Sequence, residues 1–120
     1  MEKASELKVE TRKCGGKTVV LTIHGVLDAH TSSQLERRIF KLFDSGVHKI
    51  VADLSGVKYI SSAGAGVLIS GMQEASEKGG DFVFVKPSTS VKELFDLLGL
   101  ASMFKSFPSV SEAIAHFTGR

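Results

Sequence analysis

Two adjacent hydroxyls, Ser61 and Ser62, stand ahead of a run of small residues in Tyr59-Ile60-Ser61-Ser62-Ala63-Gly64-Ala65-Gly66. A serine before a helical stretch can serve in two ways. As an N-cap, its oxygen accepts from the orphan N–H groups of the first turn. As a modification site it can carry phosphate, because those N–H groups and the helix dipole favour an anion. A first turn of Ala and Gly leaves the hydroxyls sterically open, or lets the helix approach a sheet closely. Both roles stay open at this point.

Four acids stand beside the serines as candidates. Asp28 follows Gly25-Val26-Leu27 and precedes Thr31, which suits a turn or an N-cap. Asp53 lies near the C-terminal end of a strand-like run, where a site residue and a solvated loop acid are equally at home. Their separation is too long to claim a carboxylate pair for acid/base chemistry. Glu93 and Asp96 read as the solvated face of a helix.

Sharper catalytic patterns fail. There is no Gly-Lys-Ser/Thr, so this is not a P-loop. Gly64-Ala65-Gly66 runs on into Val67, Leu68 and Ile69, without the third glycine of a dinucleotide fingerprint. Neither serine sits in Gly-x-Ser-x-Gly. His24, His30, His48 and His116 show no metal spacing and read as surface or turn histidines. The enzyme reading would pair Ser62 with Asp28 or Asp53 as a small hydrolase or phosphotransfer site, and no base–nucleophile spacing supports it. We expect no enzyme, no metal and no cofactor.

Composition narrows the partners. The 120 residues are 42% hydrophobic and 23% charged, with a net charge of +2, which fits one globular domain over 1–120. The adjacent basic pairs, Arg12-Lys13 and Arg37-Arg38, are too sparse for a phosphate-backbone footprint. No nucleic acid is expected. Cys14 is the one cysteine, and a lone thiol fits a reducing compartment. No signal core and no apolar run long enough for a bilayer are visible. A cytoplasmic protein without membrane insertion is expected.

The elements that must position the serines follow from periodicity. Leu7–Thr11 alternates, Cys14-Gly15-Gly16-Lys17 turns, and Thr18–Ile23 is β-branched, so a hairpin is expected. Leu35, Ile39, Leu42 and Phe43 form a helical stripe that Asp44-Ser45-Gly46 ends. His48–Leu54 reads as a buried strand, followed by a polar connection through Ser55-Gly56 and Lys58-Tyr59. A second helix starts near Ala63, with Val67, Leu68, Met72 and Ala75 on one face. Phe82–Val85 is a third apolar strand, and Ser88 or Ser90 caps a helix striped by Val91, Leu94, Phe95 and Leu98. Met103–Phe107 reads as a last strand, and a final helix starts near Ser109. The order β-β-α-β-α-β-α-β-α calls for an α/β fold with a mixed, mainly parallel sheet and amphipathic helices, its core about 7–117.

Four segments then occur together: Gly25-Val26-Leu27-Asp28 with Thr31, Asp53-Leu54-Ser55-Gly56-Val57, Ile60 through Leu68, and Leu94-Phe95-Asp96-Leu97-Leu98-Gly99-Leu100. In this order they resemble the bacterial anti-sigma-factor antagonists, built on the STAS domain. The resemblance implies a partner-switching regulator of transcription. The unphosphorylated antagonist binds an anti-sigma factor that is also a serine kinase, and so frees the sigma factor. Phosphorylation of a loop serine ends the interaction, and a PP2C-type phosphatase restores it. Family members read Asp-Ser-Ser/Thr-Gly with the first serine modified. Aligned through Gly64 and Gly66, that serine falls on Ser62, with Ser61 the runner-up. Ser61 stands where the family has Asp, and Ala63 where it has Ser or Thr. Asp28, Ser61, Ser62, Ala63, Gly64, Ala65 and Gly66 are the expected partner-binding set, since strand ends and helix starts gather on one side of an α/β sheet; a bulky side chain at residue 65 would weaken binding if that residue faces outward. The rival within the family is a STAS scaffold, or an accessory subunit of a lipid transporter, without sigma-factor switching.

Overall fold

β-Branched and aromatic runs form the strands of the computed structural model, which describes residues 7–117. Strand β1 (Leu7–Cys14) and strand β2 (Thr18–Leu27) pair antiparallel. Helix α1 (Ala29–Asp44) carries the chain to β3 (Lys49–Ile60), helix α2 (Ser62–Glu77) to β4 (Asp81–Val85), and helix α3 (Thr89–Leu97) to β5 (Ser106–Phe107). Helix α4 (Val110–Phe117) closes the described chain. Sheet order is β1-β2-β3-β4-β5, and every pairing after the hairpin is parallel.

Alternation along the strands separates two cores. Leu21, Ile23, Ile50, Ala52, Leu54, Phe82 and Phe84 point to one face and pack with Leu35, Leu68, Val91 and Phe95 of α1, α2 and α3. Val20, Val51, Val83 and Val85 point to the other and meet Ala113 of α4. Asp81 ties α4 and β5 to the sheet. Its Oδ2 accepts from Lys105 Nζ at 2.8 Å and lies 3.0 Å from His116 Nε2. Burial pushes this carboxyl upward, but the contacts from Lys105 and His116 and the N–H of Phe82 outweigh it and hold its pKa below the usual carboxylate value.

Three expectations need correction. Residues 55–59 are not a connection: they continue β3, whose Gly56, Val57, Tyr59 and Ile60 pair with His24, Gly25, Val26 and Leu27. Bulges at Thr22/His24 and Gly25/Val26, with Gly25 at φ +120°, break the period-2 pattern that would have revealed the strand. Strand β2 likewise runs past Ile23 to Leu27. The expected strand over 103–107 is a 3-10 turn at Ala101–Met103 followed by two paired residues, Ser106 and Phe107.

Candidate functional site

Strands β2 and β3 end side by side, with Leu27 opposite Ile60. Each then enters a helix through a capping residue, so two helix N-termini gather at one sheet edge. That is where α/β sheets place their sites. The Ser61 N–H donates to the Leu27 carbonyl at 2.7 Å, which continues the ladder one residue into the loop and locks the two caps together.

Asp28 caps α1. Its Oδ1 accepts from the N–H groups of His30 at 3.0 Å and Thr31 at 2.9 Å. Thr31 Oγ1, fully buried, accepts from the Asp28 N–H at 2.9 Å and donates to the Val26 carbonyl at 2.6 Å. This is a reciprocal capping box and fixes the loop beside Ser61. Asp28-x-x-Thr31 was its signal in the sequence.

The two serines divide the two roles. Ser61 is extended (φ −89°, ψ 174°) and its Oγ accepts from the Gly64 N–H at 3.2 Å. It is the N-cap. Ser62 is the first helical residue and is exposed. Its hydroxyl has no protein partner among the described residues.

The small residues also divide. Gly64 and Ala65 are buried, whereas Ala63 and Gly66 are exposed. A Cβ at Gly64 would stand 2.8 Å from Ile60 Cγ1 and 2.9 Å from Leu27 Cβ, whereas one at Gly66 would meet nothing within 4 Å. The condition that residue 65 face outward is not met: Ala65, 1% exposed, turns onto the core with Leu68 and Met72. Steps of 100° along α2 place 64, 65, 68, 71, 72 and 75 on the sheet side, and leave Ser62, Ala63, Gly66 and Ser70 outward.

Tyr59, next to Ile60 at the end of β3, is 54% exposed. Asp53 is not brought here. It accepts from the N–H and Oγ of Ser55 at 3.0 and 2.8 Å, roughly 25 Å down the strand from Ser61 at about 3.3 Å per residue. No group of three or more His, Cys, Asp and Glu among the described residues is placed to hold a metal ion. None of the helices among those residues is long and apolar enough to cross a membrane.

The site therefore offers an exposed hydroxyl at a helix start, on a surface of small side chains. An anti-sigma F factor antagonist of Lysinibacillus sphaericus is 29% identical over 96 residues, 79% of each chain. The structure of SpoIIAA in its unphosphorylated form superposes with a TM-score of 0.82 at 24% identity, covering 94% of this chain and 98% of that one. The phosphorylated form of SpoIIAA from Bacillus gives 0.74 at 23% identity, covering 91% and 98%. The profile of the STAS domain matches residues 8–113, and the chain belongs to the STAS domain family.

Proposed function

We propose that this chain is an anti-sigma-factor antagonist, a partner switch and not an enzyme. In its unphosphorylated form it binds an anti-sigma factor that is also a serine kinase, in the cytoplasm. Phosphorylation of Ser62 releases it, and a PP2C-type phosphatase resets it. One observation carries the reading: Ser62 is exposed at the start of α2 while its neighbour Ser61 is committed to the cap. The name of the Lysinibacillus relative supports it.

The physics of release follows from the position. Phosphate adds about −1.5 to −2 charges. At a helix N-terminus those charges are favoured by the dipole and the first-turn N–H groups, so they do not strain the fold. The cost falls on the interface. A phosphate on Ser62 stands among Ala63 and Gly66, where a partner surface must come close, and it repels any carboxylate there.

The test uses the kinase recovered with this protein from its native cell. Incubation with ATP should add one phosphate to the wild-type chain and to Ser61→Ala, mapped to Ser62, and none to Ser62→Ala. Labelling that persists in Ser62→Ala and disappears in Ser61→Ala overturns the assignment.

A further inference from the structure

We propose that the groove between α1 and α2 takes an apolar side chain of the anti-sigma kinase, set between two of that partner's cations. This rests on the partner-switch reading of Ser62 and carries the contact along the helices, beyond the expected set around Asp28 and Ser61.

Both helices begin at the Ser62 edge of the sheet and run the same way, because each crosses over between parallel strands. The groove between them is lined by Glu36, Ile39 and Phe40 of α1 and by Val67, Ser70 and Glu74 of α2. Its volume is about 30 Å³, far below the roughly 300–1,000 Å³ of a small-molecule pocket. It suits the tip of one side chain.

Two observations point to a protein partner. First, Phe40 is 55% exposed at the groove. Among the described residues it is the large apolar side chain that α1 and α2 leave most open, whereas Leu97, Leu98 and Met103 stand at or past the far end of α3. A lone exposed phenylalanine is ordinary on a protein surface. This one borders an apolar recess, and Ala63, Gly66 and Ser70 on the outward side of α2 have little area of their own to bury. Interfaces draw most of their energy from a few aromatic and arginine anchors. Second, Glu36 and Glu74 flank the recess from opposite helices, and neither makes an ion pair among the described residues. No lysine or arginine among those residues lines it. An acidic rim around an apolar centre favours a segment with cations beside an apolar side chain, and repels an acidic one.

One partner can cover both places. Along α2, Ser70 lies about 12 Å and Glu74 about 18 Å beyond Ser62, at 1.5 Å per residue. A standard interface takes about 800 Å² from each partner, a patch roughly 28 Å on a side. A kinase seated on Ser62 therefore reaches Phe40.

Calorimetry with the kinase that co-purifies with this protein tests the groove, using unphosphorylated wild type, Phe40→Ala, and the double variant Glu36→Gln with Glu74→Gln. Phe40→Ala should bind at least about tenfold more weakly. The double variant should bind about three- to tenfold more weakly at low salt, and its affinity should fall less than that of wild type as salt rises. Phe40 and Glu36 are exposed and Glu74 is half-buried, so melting temperatures should stay within a few degrees. If Phe40→Ala melts early, the double variant decides. Wild type that binds and gains phosphate on Ser62, with both variants binding equally well, overturns the groove and leaves the switch standing. Wild type that neither binds nor gains phosphate overturns the switch, and the groove with it. Self-association by sedimentation that Phe40→Ala abolishes, with kinase binding unchanged, assigns the groove to a second copy of this chain and also overturns the proposal.

Discussion

The Ser61 N–H and the Leu27 carbonyl meet at 2.7 Å, one residue beyond the last strand pair of β2 and β3. Through that contact the cap of α2 is held against the cap of α1. The position of Ser62 is thus set by the sheet rather than by a loose loop.

The two glycines flanking Ala65 should respond in opposite ways. Gly64→Ala forces a methyl onto Ile60 and Leu27 and should cost about 1–3 kcal/mol, as overpacking does. Gly66→Ala adds its methyl in open space, and better helix propensity should leave stability unchanged or raised by up to about 1 kcal/mol. Urea unfolding of both variants checks the contrast. Equal losses would contradict the inward and outward assignment.

The serines should separate stability from modification. Ser61→Ala removes the acceptor for the Gly64 N–H and should cost about 1 kcal/mol, the usual worth of an N-cap. Ser62→Ala should stay within about 0.5 kcal/mol, since an exposed side chain without partners contributes little. Thermal melts of the two variants measure this directly.

Ser32 is an opportunity for stabilisation. It is 2% exposed, and its hydroxyl finds no partner among the described residues. Ser32→Ala removes an unsatisfied buried polar group and improves helix propensity in α1, a gain of about 1 kcal/mol. A lower denaturation midpoint in Ser32→Ala would show that the hydroxyl is satisfied in solution.

Asp81 sets a pH dependence. Its pKa is lowered in the fold, so it contributes stability that is fully present above the unfolded carboxylate pKa and lost as pH falls through the lower folded value. Lys105 is half exposed, so the contribution is modest, about 0.5–1 kcal/mol. Asp81→Asn should therefore be less stable than wild type at pH 7, and the gap should close from about pH 4 downward. A gap that is constant from pH 7 to about pH 3 would remove the ion pairs as its cause.

How far the sequence was legible depends on contrast between residues. Leu35, Ile39 and Phe43 show α1 plainly, because apolar and charged positions alternate at helical spacing. Ala63-Gly64-Ala65-Gly66 has no such contrast, so nothing in it says which small residue turns inward. That direction comes from where Leu27 and Ile60 stand, a tertiary fact. Ser55-Gly56 and Lys58-Tyr59 carry the polarity of a loop, and only pairing with the bulged end of β2 makes them strand. The N-cap role of Asp28 was legible in Asp28-x-x-Thr31 because a cap is a local interaction. The choice between Ser61 and Ser62 as the cap was not, since either hydroxyl suits a helix start and one residue of register decides.

The central claim is that phosphate on Ser62 acts on the interface and leaves the fold intact. The measurement is the affinity of the co-purified anti-sigma kinase, by calorimetry, for the unphosphorylated chain and for the chain stoichiometrically phosphorylated on Ser62, with a thermal melt of each form. We predict an affinity loss of about a hundredfold or more, equivalent to roughly 3 kcal/mol, while the melting temperatures differ by no more than a few degrees. Equal affinities would contradict the account. So would a weakened complex accompanied by a large fall in melting temperature, because the switch would then work by unfolding the antagonist.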